Sequence, residues 1–368
     1  MVASPDCGRA NSSLVVAAYY LPQFHPIPEN DEWWGPGFTE WVTVVRARRL
    51  RPGHRQPRIP GELGFYDLRL PETRLRQTEL ASAAGIDAFC YWHYWFAGRQ
   101  LLERPLHDVL HQPELRHRFF LSWANESWTS SWSGKPHTLL IEQTYPGVED
   151  HIKHFRAIEA ILHDPRYLTV DGRPAFVVYR PHRLPSSQRF AELWRRLAAD
   201  SGLGDLYLVG ECDSSARHQW EPVNAGFDAC VELSWRRGLG RCRNLWKYGS
   251  PIPHMVDYER VQAELTRQHP HKAPTHPTVL VGWDNTPRYG RQGFIVANNG
   301  PMVLAAAVKR AVNQARAWSR HPLLFLKSWN EWAEGNYLEP DRDHGAQLLG
   351  AVAEGVAAAT ATEESPTR

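Results

Sequence analysis

The chain has 368 residues, 42% of them apolar and 22% charged, a balance that suits a folded protein and excludes disorder, collagen and a long coiled coil. Lys and Arg number 42 against 40 Asp and Glu, so the net charge is +2 with both signs interspersed, and no basic face for nucleic acid is expected. The longest apolar run, residues 14 to 20, falls far short of the roughly 20 residues that cross a bilayer. With no recognisable signal cleavage site, the expectation is a cytoplasmic protein without a membrane-spanning segment.

Eight β-branched or aromatic runs recur along the chain, at residues 14–20, 86–92, 118–124, 174–180, 206–212, 227–233, 278–284 and 323–329. Each is followed by a turn-rich stretch and then a charged segment. Apolar residues at three and four spacing predict helices over 74–84, 148–163, 187–199, 256–268 and 304–320, and strands alternating with helices predict a parallel sheet. Eight such units make an α/β protein with a single (β/α)8 barrel of the TIM type. Residues 21–72 form a Pro-, Gly- and Trp-rich loop after the first strand, and loops of that length in compact domains are usually functional. No composition break divides the chain, so one catalytic barrel is expected over residues 14–360, with an N-terminal extension at 1–13 and a disordered tail at 361–368. Cys7, Cys90, Cys212, Cys230 and Cys242 lack disulfide- or zinc-type spacing and read as free thiols; no metal or organic cofactor is expected.

In such barrels the site is built from the C-terminal ends of the strands and the loops that follow. The first run ends in Tyr20 and leads to Gln23, His25, Trp33, Trp34, Glu40 and Trp41; the second ends in Trp92, His93, Tyr94 and Trp95. After the third come Trp123, Asn125, Glu126, Trp128 and Trp132; later runs end in Glu211 and Asp213, Glu232 and Trp235, and Trp283 and Asp284; the eighth ends in Trp329, Asn330, Glu331, Trp332 and Glu334. Twelve of the 16 tryptophans fall in these places, more than core packing alone predicts. Flat indole faces among carboxylates suit the C–H faces of sugar rings. An aromatic cleft formed largely by Trp33, Trp34, Trp92, Trp95, Trp123, Trp128, Trp283 and Trp329 is therefore expected, with an oligosaccharide or polysaccharide as substrate.

Glu331 and Glu334 are an i, i+3 pair in the first turn after a strand, with β-carbons roughly 5–6 Å apart if that turn is helical. Mutual repulsion raises one pKa and leaves the other ionised, the division of labour that an acid and a base require near neutral pH. Glu126, in a second Asn-Glu pair with Asn125, offers a partner for Glu331 in a conventional two-carboxylate glycosidase.

The segments YYLPQFHPIPENDEWWGPGFTEW (19–41), FFLSWANESWTSSWSG (119–134), GWDNTPR (282–288) and SWNEWAEGNYLEPD (328–341) together resemble the glycoside hydrolase family 99-like, or WbsX-like, group over most of the chain. That resemblance implies a (β/α)8 barrel acting on glycans, with relatives among bacterial genes for polysaccharide or O-antigen assembly. By similarity to the related endo-α-1,2-mannosidases, Glu331 is implied as the base that takes the proton of the sugar 2-hydroxyl and Glu334 as the acid that protonates the departing oxygen, through a 1,2-anhydro sugar and with retention. The sequence departs from those enzymes at Ala333, where they carry a larger polar residue.

Two other classes remain open. A glycosyltransferase would use Asp341-Arg342-Asp343 as an Asp-x-Asp metal motif, although this one lies beyond the eighth run and neither a Walker loop nor a convincing dinucleotide fingerprint is present. A non-catalytic glycan-binding protein would keep the tryptophans with no need of two carboxylates three apart.

Overall fold

The structure is a computed structural model that describes residues 13–130, 138–212, 220–233, 246–247, 250–251, 253–266 and 272–361. Trp132, Asp213, Trp235, Cys7 and Cys242, nearly all of the expected N-terminal extension and all of the expected tail except Ala361 lie outside the described residues.

All eight runs become strands of one sheet: β1 Val15–Tyr20, β2 Ala88–Phe96, β3 Arg118–Trp123, β4 Arg173–Val178, β5 Tyr207–Cys212, β6 Ala229–Glu232, β7 Thr275–His276 continued at Thr278–Leu280, and β8 Leu323–Lys327. Every neighbouring pair is parallel. The strand split by Pro277 brings the two ends of the sheet together. Its first half pairs with β6 (Cys230 opposite Thr275) and its second with β8 (Thr278 opposite Phe325), while β8 pairs with β1. Pro277 has no N–H for the ladder, yet its carbonyl accepts from Phe325 N at 3.0 Å. The result is a (β/α)8 barrel of the TIM type.

The helices are α1 Pro28–Trp34, α2 Glu40–Val45, α3 Pro71–Ala83, α4 Arg104–Leu110, α5 Val148–Leu162, α6 Ser187–Asp200, α7 Tyr258–Leu265, α8 Thr286–Tyr289, α9 Pro301–Trp318 and α10 Gln347–Ala361. Helix α7 starts later than its apolar spacing predicts. Residues His254–Asp257 instead pair with Phe294–Ala297 as a two-stranded parallel ribbon, and the Asp257 carboxylate caps the helix by accepting from Glu259 N at 3.0 Å. Helix α10 escaped the sequence reading because its alanine-rich segment lacks a charged face. It packs on α9 through Gly355, where a β-carbon would lie 2.6 Å from the Ala305 carbonyl oxygen, so a larger residue would prise the two helices apart. No helix among the described residues is long and apolar enough to cross a membrane.

Strand alternation sorts the aromatic residues. Successive side chains of a strand point to opposite faces, and in AFCYWHYWF of β2 this turns Trp92 and Tyr94 into the barrel mouth while His93 and Trp95 face the helices. Trp92 stacks on Tyr19 of β1 at 4.8 Å between ring centroids. His93 instead meets His154 of α5, with their Nε2 atoms 2.7 Å apart, and Trp95 stacks on the same imidazole at 4.8 Å.

Candidate active site

At the C-terminal mouth of the barrel lies a cleft of about 1060 Å³ including space open to solvent. Of the residues expected at the site, Gln23, Trp92, Tyr94, Glu126, Trp128, Glu211, Trp283, Glu331 and Glu334 line it. The cleft also receives Tyr179, Arg180, Arg288 and Lys327, which sequence reasoning missed. Arg288 closes the quoted GWDNTPR segment and Lys327 ends β8, so both stood in view beside motifs that were read for their aromatic and acidic residues alone.

Glu331 follows β8 in a two-residue strand paired with Asn336–Tyr337, and residues Trp332–Glu334 make one 3₁₀ turn. Glu331 immediately precedes this turn and Glu334 ends it, which brings the two carboxyl groups into hydrogen-bond contact. Gly335 ends the turn at φ +57°, and a β-carbon there would lie 2.8 Å from Asp284 Cβ. Only glycine allows both the left-handed backbone and this approach, which lets Asp284 N donate to the Glu334 carbonyl at 2.6 Å.

The two carboxyl groups have different surroundings. Burial alone would raise the pKa of Glu331, but it is outweighed by the Lys327 ammonium 4.0 Å from Oε1, the Trp92 indole N–H donating at 2.8 Å, a hydrogen bond from Glu334 and the field of Arg288. Glu331 is therefore held below the ordinary carboxylate range. Glu334 is pushed up to about 7 by burial and by the negative charge of Glu331, against the lowering effect of Arg288 and Lys327. Arg288 binds Glu334 Oε1 through Nη1 (2.9 Å) and Glu40 Oε1 through Nη2 (2.6 Å). Glu40 thus stands behind the arginine and off the cleft wall.

Other polar groups are tied down in and around the cleft. Glu211 accepts from the Tyr19 hydroxyl at 2.7 Å. Glu126 Oε2 lies 3.4 Å from Arg180 Nε, and Arg180 in turn stacks over Tyr179 at 4.1 Å. Asn125 is structural: its side chain accepts from Arg180 N (2.7 Å) and donates to the Arg180 carbonyl and the Tyr145 hydroxyl (both 3.0 Å), fixing the loops after β3 and β4 to each other.

The expected eight-tryptophan wall needs correction, since only Trp92, Trp128 and Trp283 of that set line the cleft. Trp33 sits behind Trp128 at 5.9 Å in an edge contact, and Trp34 lies against Phe38. Trp95 and Trp123 pack on His154 of α5. Trp329 is fully buried against Phe89 on the helix side of the sheet. Trp41 donates its indole N–H to the Tyr66 carbonyl at 2.8 Å, and Trp332 donates to Glu339 at 2.6 Å. Tyr20 points outward to Gln77 of α3 (2.7 Å). Asn330 clasps the backbone of Leu21, accepting from its N–H at 2.7 Å and donating to its carbonyl at 3.0 Å. His25 and His93 are also off the cleft, with burial lowering their pKa values to about 4 and about 3. Glu232 is buried at the end of β6 away from the lining, and Asp284 faces the opposite side of the wall.

The Asp-x-Asp segment also stands apart from the cleft. Asp341 is buried and accepts from the Tyr337 hydroxyl at 2.6 Å, with the His344 ring 3.2 Å away, whereas Asp343 is exposed. Among the described residues, no group of three or more His, Cys, Asp or Glu is gathered as metal ligands.

Comparison with known proteins places this geometry. The chain is 38% identical over 341 residues to the uncharacterized protein WxcX of Xanthomonas campestris pv. campestris, covering 91% of this chain and 48% of that protein, so it spans about half the length of the curated relatives it matches. Among solved structures, the GH99 endo-alpha-mannosidase from Bacteroides thetaiotaomicron is similar in fold, with a TM-score of 0.59 and 14% identity over 95% of this chain and 98% of that one. A glycoside hydrolase-like protein gives a TM-score of 0.56 and 15% identity over 96% and 97% of the two chains. The family profile described as Glycosyltransferase WbsX matches residues 16–352, and the chain belongs to that family.

Proposed function

We propose that residues 14–360 form a catalytic barrel that hydrolyses a mannose-type linkage of an oligosaccharide or polysaccharide with retention, through a 1,2-anhydro sugar. The observation that carries this reading is the opposed titration of two adjoining glutamates, Glu331 held ionised and Glu334 held protonated up to about pH 7. The fold shared with the solved endo-alpha-mannosidase supports the substrate class.

In the first step Glu331 takes the proton of the 2-hydroxyl, O2 attacks C1, the C1–O bond to the leaving group breaks, and Glu334 gives its proton to the departing oxygen. Water then attacks C1 and gives its proton to Glu334, while Glu331 returns a proton to O2. Two inversions at C1 yield retention. Trp92, Trp128 and Trp283 offer flat faces to sugar rings, and Glu126, Arg180, Glu211 and Lys327 offer hydrogen bonds to hydroxyls.

The test is incubation of the purified chain with α-mannan fragments, O-antigen polysaccharides and nucleotide sugars, followed by NMR of the released anomer. Release of a sugar with retained configuration, unaffected by EDTA, is the expected result. Release of nucleotide, dependent on manganese or magnesium, would replace this reading with the transferase that the family description names.

A further inference from the structure

Behind the wall of the cleft lies a second cavity of about 1040 Å³ including open space. The wall is two residues thick in sequence. Trp283 and Glu334 face the cleft while their chain neighbours Asp284 and Gly335 face the second cavity. Arg51, Arg55 and Arg58 of the loop after β1 line it, with His344 and with Asn299 and Gly300 at the start of α9.

Three features of this cavity point to one kind of ligand. First, none of the three guanidinium groups is in an ion pair among the described residues: Arg51 reaches the Pro52 carbonyl, Arg55 the His344 ring, and Arg58 the Tyr337 hydroxyl. Asp284, itself in the lining, and Asp341 act on Arg58 through their fields, but neither forms an ion pair with it and both are hydrogen-bonded elsewhere. Asp284 accepts from His54 (2.9 Å), Gln56 (2.9 Å) and Thr286 Oγ1 (2.6 Å), and Asp341 accepts from Tyr337 (2.6 Å). Second, the Nε–H groups of Arg51 and Arg58 are both shut off from solvent with no acceptor. A buried donor left unpaired costs free energy, which is recovered when the side chain turns to present that N–H to an anion in the cavity. Third, the 18-residue helix α9 begins at the cavity, with Gly300 supplying no side-chain cap and Pro301 following it. Its first-turn N–H groups and its dipole favour negative charge there.

We propose that this second cavity binds a phosphoryl group. Three guanidiniums and a helix N-terminus match an anion with several oxygens and more than one charge, since guanidinium forks pair with phosphate in a bidentate manner. The loops after β7 and β8 are where (β/α)8 barrels frequently hold phosphate, there at a short extra helix and here at the start of the crossover helix α9. The site needs nothing from the glutamate pair, so it stands whether or not the proposed hydrolysis does.

The test is calorimetric titration of the full chain with inorganic phosphate and pyrophosphate, with mannose 6-phosphate and uridine diphosphate as two further arms that separate a phosphorylated sugar from a nucleoside diphosphate as the source. Binding that Arg58→Gln weakens about 10-fold or more is expected, the loss of roughly one charged hydrogen bond. Because Arg58 also holds Tyr337, the exposed Arg55→Gln serves as a second variant that leaves this contact intact, and it should weaken binding in the same direction. Arg180→Gln, in the cleft, should leave phosphate affinity unchanged. Absence of binding by all four compounds at about 10 mM, where even weak millimolar sites fill, would overturn the proposal. So would affinity that survives both loop variants or is lost in Arg180→Gln.

Discussion

Lys327 and Glu331 meet across the turn that ends β8: the ammonium lies 4.0 Å from Glu331 Oε1 and sits 4.9 Å and 5.0 Å over the rings of Trp92 and Tyr19. The lysine is thereby held among aromatic faces and aimed at the proposed base. Its charge leads the contributions that keep Glu331 ionised against the effect of burial. Lys327→Met keeps the bulk of the stem and removes the charge, so the Glu331 pKa should rise. The proposed mechanism requires Glu331 ionised, hence the acid limb of the kcat/KM profile should move to higher pH. A pH-rate profile with an unmoved acid limb would separate Lys327 from the base.

In the proposed mechanism the alkaline limb belongs to Glu334, which must carry its proton and whose pKa is raised to about 7. Arg288 acts in the opposite sense, lowering that pKa through its 2.9 Å contact. Arg288→Gln should therefore shift the alkaline limb upward from about pH 7 and lower kcat, because Glu40 and Glu334 lose the bridge that positions them. The same pH series on wild type and variant checks both effects.

The two glutamates should fail differently. Glu331→Gln should abolish turnover for every leaving group, a loss of about 10²–10⁴-fold or more typical of general catalysis. Glu334→Gln should cost as much on a natural-type glycan yet spare an aryl glycoside, whose leaving oxygen needs little protonation. A 2-deoxy substrate should bind and remain inert, since O2 is the nucleophile of the proposed route. An ester trapped on Glu331 or Glu126, or normal cleavage of the 2-deoxy substrate, would sink the anhydro-sugar route.

Gly335 offers a test of the turn itself. Gly335→Ala places a β-carbon 2.8 Å from Asp284 Cβ at φ +57°, combining left-handed strain with overpacking. A destabilisation of about 2–4 kcal/mol is expected, with loss of turnover as the glutamates separate. Urea unfolding of the variant beside wild type measures the first, and a cost below about 0.5 kcal/mol, the range of neutral surface changes, would show that the turn relaxes freely.

How much of this was legible in the sequence varies from residue to residue. The eight strands, five of the ten described helices and the Glu331–Glu334 pair follow from local composition and spacing, because strand and helix periods are properties of neighbouring residues. Orientation is another matter. Both faces of a parallel barrel strand are buried, so the run YWHYWF shows its alternation plainly without showing which half faces substrate. Contact with α5 decided that, sending His93 and Trp95 outward and Trp92 and Tyr94 inward. Trp329 and Trp332 lie beside the glutamates in sequence yet pack away from them, for the turn that gathers the acids turns the indoles into the core. Arg288 reaches Glu40 across 248 positions, and the three loop arginines meet α9 across more than 240. Pairings of that span are made by closure of the barrel, which carries distant loops to one rim, and no local pattern in the chain encodes them.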